Sequence, residues 1–246
     1  MQLYENFLGE DHCSSIKNFV GGDTEETYLK NLATQPKNWY YKNKKIVYSF
    51  NEYGHRCKSI KEINFDNYFL VVGCSHSQGV GLELEKTFPW LIASQLNCDY
   101  YNLSISASGI DVIEHNLLMW LSKFEKLPKF LLIQWPSLTR YACKSLDTKN
   151  IMPSGPWLEE ENNLKFLSLG DEKGLFLARK QLASQLIENT YDIPIINLEY
   201  SSNDGYLNNS VYFNKHDYAR DLSHIGIKSN KLIANSLLEV LKNTIT

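Results

Sequence analysis

The run Tyr68-Phe-Leu-Val-Val-Gly73 constrains the fold of this chain more than any other segment. An unbroken apolar stretch of strand length that ends in glycine is the form of a strand buried on both faces; a strand with one wet face would alternate. Phe130-Leu-Leu-Ile-Gln-Trp135 repeats the pattern, and shorter strands fit Tyr100 to Ile105 and Ile193 to Leu198. Between and after them lie helix-length segments at Thr87 to Leu96, Ile110 to Phe124, Lys173 to Ile187 and Ser229 to Leu241. In the second of these Ile110, Ile113, Leu117, Leu118 and Leu121 recur at three- and four-residue steps and so share one face. Strands separated by helices imply parallel pairing through right-handed crossovers, with helices on both faces of one sheet. In such sheets the chemistry sits beyond the carboxyl ends of the strands.

Residues 1–66 have a different character, polar and aromatic, with a helical candidate at Thr24 to Leu32 and an alternating stretch, Ile46 to Phe50, that suits an edge strand. They read as an N-terminal extension packed on a core domain of residues 67–246. Two long stretches, Cys143 to Asn163 and Ser201 to Asp217, carry no regular pattern and read as irregular loops.

Composition narrows the function classes. A net charge of -3 with no basic cluster argues against a nucleic-acid partner. No apolar run reaches the roughly 20 residues that span a bilayer, and Met1 to Asp11, with Glu5, Glu10 and Asp11, does not read as a secretory leader. Cys13, Cys57, Cys74, Cys98 and Cys143 are scattered without a Cys-x-x-Cys pair, against both a disulfide framework and a zinc site. The expectation is a cytoplasmic protein without membrane contact.

Two segments carry chemistry. Gly73-Cys-Ser75-His-Ser-Gln-Gly79-Val-Gly81 follows the first buried strand directly, where a serine on a strand-to-loop turn has its hydroxyl exposed beside backbone N–H groups. As a phosphate cradle it fails: no lysine follows Gly79, and Gly81 lacks the third glycine of a dinucleotide fingerprint. Near the other end, Asp221-Leu-Ser-His224 precedes the last helix, a spacing that brings a carboxylate to imidazole Nδ1 and leaves Nε2 as a base for a serine. Cys74 is a second nucleophile candidate, read instead as packed, and His76 and His115 lack the spacing of metal ligands. Tyr200, Tyr206, Tyr212, Phe213 and Tyr218 cluster before Asp221, suited either to sugar rings or to a half-buried loop.

Together these blocks resemble the SGNH (GDSL-like) hydrolase family. Gly73-Cys74-Ser75 stands where that family carries Gly-Asp-Ser, in the manner of its Gly-Cys-Ser branch, and Asp221-x-x-His224 stands where it carries its terminal Asp-x-x-His. Asn102-Leu-Ser-Ile-Ser-Ala-Ser108 is similar to its second block, and Asn51-Glu-Tyr-Gly54-His-Arg56 to a segment before the first. The likeness spans residues 45–240, with the first and last blocks the specific ones. It implies a three-layer α/β/α fold with a mostly parallel, flavodoxin-like central sheet, a Ser75-His224-Asp221 triad, an oxyanion hole using the N–H groups of Ser75 and Ala107, and no cofactor or metal. The implied substrates are small esters or carbohydrate O-acetyl groups.

Two departures bear on activity. Ala107 replaces the second-block glycine but retains its N–H. Gln134-Trp-Pro-Ser137 replaces the third block, so the asparagine donor is absent, and losing one such donor costs about 10² to 10³ in rate. Gln134, Ser137 and Arg140 are the candidates to replace that oxyanion donor, and Trp135, at the end of its strand, is a candidate either to line the substrate pocket or to pack in the core. The rival expectations are an SGNH-shaped binding module with little catalysis and a nucleotide-binding α/β domain.

Overall fold

The structure is a computed structural model that describes residues 7–8, 12–136, 140–144, 151–154, 172–199, 207 and 209–244. The N-terminal part contributes β1 (Ile16–Lys17), α1 (Glu25–Thr34) and β2 (Tyr48–Ser49), with β1 and β2 paired antiparallel. The alternating unit follows: β3 (Tyr68–Val72), α2 (Ser75–Gln78), α3 (Phe88–Leu96), β4 (Asp99–Asn102), α4 (Ile110–Lys123) and β5 (Leu131–Gln134). A hairpin of β6 (Tyr141–Lys144) and β7 (Ile151–Ser154) comes next, then α5 (Glu172–Tyr191), β8 (Ile195–Glu199), β9 (Ser210–Tyr212) and α6 (Ile227–Thr244).

Five strands form one sheet in the order β4-β3-β5-β8-β9, and every pairing in it is parallel. Counted along the chain this is order 2-1-3-4-5, the flavodoxin-like arrangement. All five residues of β3 are buried, as its apolar run requires. Its side chains alternate between layers: Tyr68, Leu70 and Val72 pack with Ile110, Ile113, Leu117 and Trp120 of α4 and Ile187 of α5. Phe69 and Val71 face Phe88 and Ile92 of α3 and Ile233, Leu237 and Leu241 of α6. The fold is thus three layers, helices on both faces of a parallel sheet.

The buried stripe of α4 is Ile110, Ile113, Leu117 and Trp120, and Leu118 is 58% exposed. Leu118 sits about 100° around the helix from Leu117, which turns it out of the sheet face. Four strands escaped the sequence pattern: β1 in the N-terminal part, β6, which runs from Tyr141 into the first stretch read as irregular, β7 within that stretch, and β9 in the second. β9 is only three residues long, and β7 contains Pro153, which suits a strand in a two-stranded edge hairpin rather than a buried ladder. No helix among the described residues is long and apolar enough to cross a membrane.

The connection from β3 to β4 runs through α3 on one face and that from β4 to β5 through α4 on the other, so the strand order reverses at β3 and a crevice opens beyond the carboxyl ends of β3 and β5. Residues of the N-terminal part close over its flank. Val20, Tyr41, Ile46, Tyr48 and Phe50 form a small core with Val80, Leu82 and Ala219. His55 is wholly buried between Phe7 and Tyr101, with Nδ1 3.1 Å from the Tyr101 hydroxyl.

Burial pushes the His55 pKa from 6.5 down to about 3, against the pull of a hydrogen bond with the Leu8 backbone. Since the folded value lies below the unfolded one, His55 contributes stability that is complete above about pH 6.5 and is lost as pH falls toward 3. Melting temperature should therefore decline across that window. The decline should be shallower in His55→Asn, whose amide can still meet the Tyr101 hydroxyl; an unchanged slope would remove His55 as the cause.

Candidate active site

Ser75 opens α2 immediately beyond β3, and the turn that presents it is fixed by what Gly73 lacks. A Cβ on Gly73 would stand 2.3 Å from Ser77 Oγ, 2.8 Å from Gln134 Cβ and 2.9 Å from the Gln134 carbonyl oxygen. Only glycine permits this approach. Gln134, at the end of neighbouring β5, uses it: its Oε1 accepts from the Cys74 backbone N–H (3.0 Å), the Cys74 thiol (2.9 Å) and Ser77 Oγ (3.1 Å). From the other neighbour, β4, Asn102 donates Nδ2 to the Ser77 carbonyl at 2.8 Å. The turn is clamped by buried amides from both adjacent strands.

The second loop, 217–226, reaches the same place from before α6. His224 Nε2 lies 2.8 Å from Ser75 Oγ, and His224 Nδ1 is hydrogen-bonded to Asp221 Oδ2. Asp221 Oδ1 accepts the backbone N–H groups of Ser223 (3.1 Å) and His224 (3.0 Å), which orients the carboxylate within its own tight turn. Burial works to raise the Asp221 pKa, but the hydrogen bond and charge of His224 and those two N–H groups outweigh it and hold the carboxyl below its usual range. Leu222, at the centre of this turn, has φ +56, a left-handed conformation that costs a bulky residue energy and marks the loop as shaped by its neighbours.

His76 follows Ser75 and stacks edge-on with the His224 ring at 5.2 Å and with Phe213 at 5.8 Å. Burial, then the positive charge of His224, Lys215 and Arg140, holds its pKa well below the usual histidine value despite the opposing pull of Asp221. It is a neutral ring packed beside His224. Lys215 donates to the Ser223 carbonyl at 2.6 Å and is close enough to Asp221 and Arg140 to feel both charges.

The other expected site residues separate. Ala107 has φ +65 and occupies the third position of a turn closed by Ser108 N–H to the Ile105 carbonyl (3.3 Å), a place where glycine is usual. That loop adjoins the serine turn, since the Ile105 N–H donates to the Gly73 carbonyl at 3.3 Å. Gln134 differs from expectation: its oxygen serves the Ser75 turn and its Nε2 donates to the Trp135 carbonyl at 2.7 Å, so the amide supports the serine. Trp135 faces the α4 and α5 layer, donating Nε1 to Asn197 Oδ1 at 2.8 Å and lining an apolar cavity of about 380 Å³ with Ile113, Leu117 and Ile187. Ser137, Tyr200 and Tyr206 lie outside the described residues. Cys74 is buried with its thiol on Gln134, the packed role read from sequence. Among the described residues no three His, Cys, Asp or Glu side chains converge as metal ligands.

Sequence reasoning passed over Gln134's supporting role and the residues of the N-terminal part that touch the site. A Cβ on Gly22 would lie 3.5 Å from Asp221 Oδ2 and 3.6 Å from His224 Cε1. Arg56, the last residue of the Asn51 to Arg56 segment, is buried and donates to the carbonyls of Gln78, Gly79 and Leu82, which holds the loop after the serine.

No protein-family profile matches the chain, and no curated protein does. Solved structures do. A psychrotrophic esterase from Pseudoalteromonas sp. is 15% identical, with 72% of this chain and 98% of that one covered and a TM-score of 0.46. A carbohydrate esterase family 2 enzyme with a carbohydrate-binding domain from Corynascus thermopiles (Myceliophthora fergusii) is 12% identical over 72% of this chain and 67% of that one, with a TM-score of 0.47. A lipolytic protein of the G-D-S-L family from Desulfitobacterium hafniense is 9% identical over 71% and 99%, with a TM-score of 0.43.

Replacing Gln134 by leucine leaves the buried Cys74 N–H without its acceptor, at a cost of about 1–3 kcal/mol. Gln134→Leu should lower both the urea midpoint and the reactivity of Ser75. Full stability with reduced reactivity would instead assign the amide a direct role toward substrate.

Proposed function

We propose that the protein is a serine esterase of the SGNH (GDSL-like) type, with Ser75 as nucleophile, His224 as general base and Asp221 as the group that orients the imidazole. The observation that carries this reading is the continuous hydrogen-bonded line from Ser75 Oγ through both ring nitrogens of His224 to Asp221, joining residues 149 positions apart. A carboxylate with depressed pKa stays ionised at neutral pH and stabilises the imidazolium.

In the acylation step Ser75 Oγ bonds to the ester carbonyl carbon as its proton passes to His224 Nε2, and the carbonyl oxygen takes the negative charge. The N–H groups of Ser75 and Ala107 are the donors proposed for that oxyanion. On collapse the carbon–oxygen bond to the alcohol breaks, and His224 delivers the proton to the departing oxygen. Water then repeats the sequence on the acyl-serine, giving the acid and free Ser75. The substrate class proposed is a small ester or a carbohydrate O-acetyl group, supported by the family resemblance and by Tyr212 and Tyr218, which stand exposed at 37% and 53% on the segment leading to Asp221.

A second reading, a binding module of the same shape with little turnover, is favoured by one observation: at the third block the Gln134 oxygen is held by the serine turn and its Nε2 donates to the Trp135 carbonyl. A fluorophosphonate probe separates the two. Labelling mapped to Ser75, absent in Ser75→Ala and His224→Ala and slowed about 10⁴-fold in Asp221→Asn, is the expected outcome. Folded protein that takes no label would give the module reading precedence.

A further inference from the structure

The acid–base loop is fastened to the N-terminal part of the chain by a buried ion pair one residue from Asp221. Arg220 Nε donates to Asp23 Oδ1 at 2.9 Å and Nη2 to Asp23 Oδ2 at 2.7 Å, with Arg220 3% and Asp23 0% exposed. Arg220 Nη2 also donates to the Asn18 carbonyl at 2.7 Å, and its guanidinium lies over the rings of Phe19 (4.6 Å) and Tyr28 (5.2 Å). Its backbone is held as firmly: Asn31 Nδ2 donates to the Arg220 carbonyl at 3.0 Å, and the Arg220 N–H to the Gly81 carbonyl at 3.1 Å. Tyr48 closes the circuit, donating its hydroxyl to Asp23 Oδ2 and accepting the Gly81 N–H at 2.7 Å.

Burying two charges is an expensive way to fasten a loop, and apolar packing of similar volume commonly does so at no loss of stability. What the pair adds is direction and charge balance. A bidentate fork fixes Arg220 in angle as well as distance, and Asp221 is the next residue. Asp23 also cancels the charge of Arg220, which otherwise would oppose an imidazolium on His224. The same strand of chain lays Gly22 against Asp221 Oδ2 and His224 Cε1.

We propose that Asp23 is a positioning residue for the Asp221–His224 pair, acting through Arg220, so that the N-terminal segment is a working part of the site. The inference rests on the hydrolase reading only for its kinetic consequence. The charged or titratable groups around His224 are Asp221 on its own loop, His76 on α2, Lys215 and Arg140 beyond it, and the Arg220–Asp23 pair.

The test uses the full chain in five forms: wild type, Asp23→Asn, Asp23→Asn/Arg220→Gln, Tyr48→Phe, and Thr24→Ala. Thr24 caps α1 and stands for damage to the segment alone. Two signals are read: the low-field imidazole Nδ1 proton of His224 with its titration by NMR, and the rate at which a fluorophosphonate labels Ser75. Asp23→Asn should move the His224 titration to lower pH and slow labelling on the order of 10²-fold. The neutral pair Asp23→Asn/Arg220→Gln should return the titration toward wild type, Tyr48→Phe should act in the direction of Asp23→Asn but less, and Thr24→Ala should change neither signal.

Unchanged signals in folded Asp23→Asn would overturn the proposal; if that variant does not fold, unchanged signals in Tyr48→Phe would do the same. A response of the Nδ1 signal without any labelling of wild type would retain the positioning role and reject the esterase. Labelling of wild type and Asp23→Asn at equal rates would do the reverse.

Discussion

The site depends on the absence of a side chain at Gly73. With nothing projecting there, Ser77 and Gln134 press onto the chain where it leaves β3, and the Gln134 amide reaches the Cys74 N–H. Asn102 meets the same short helix from the opposite strand. Both amides are almost fully buried, and a buried polar group without a partner is costly. Each is satisfied by the segment that carries Ser75, so the energy that keeps the amides paired also keeps the serine in place.

Electrostatic order in the crevice follows from pairing. Asp221 is held ionised by His224 and two backbone N–H groups, and Asp23 matches Arg220 in the adjoining position. Desolvation of the His76 ring, packed beside His224, holds its pKa well below the usual histidine value. The imidazole of His224 therefore faces a single carboxylate on one nitrogen and a hydroxyl on the other, the polarity that proton transfer from Ser75 requires. The left-handed backbone at Ala107 and Leu222 lies in the two loops that border this arrangement, as strain commonly does where surrounding structure over-determines a loop.

Much of the architecture was legible because it rests on local patterns. The unbroken apolar runs of β3 and β5 follow from burial on both faces, and Thr24 at the start of α1 accepts the Thr27 N–H as a capping residue should. Other features left little trace. β9 is three residues whose pairing with β8 is supplied by the neighbour, and Leu118 fits the helical spacing yet points to solvent because the sheet covers a narrower arc than the pattern allows.

Sequence by itself determined the order of four of the five sheet strands and of the long helices packed on them, the parallel class of the sheet, and the two segments holding Ser75 and the Asp221–His224 turn, since each is written in neighbouring residues. Tertiary structure decided which side chains serve those segments. Gln134 turned from the expected oxyanion donor into a support for the serine turn, and Asp23 found Arg220 across 197 positions. A glutamine or an aspartate has no local signature for such work. Its role is fixed by the partners that burial brings within hydrogen-bond reach, and those exist only once the sheet has assembled.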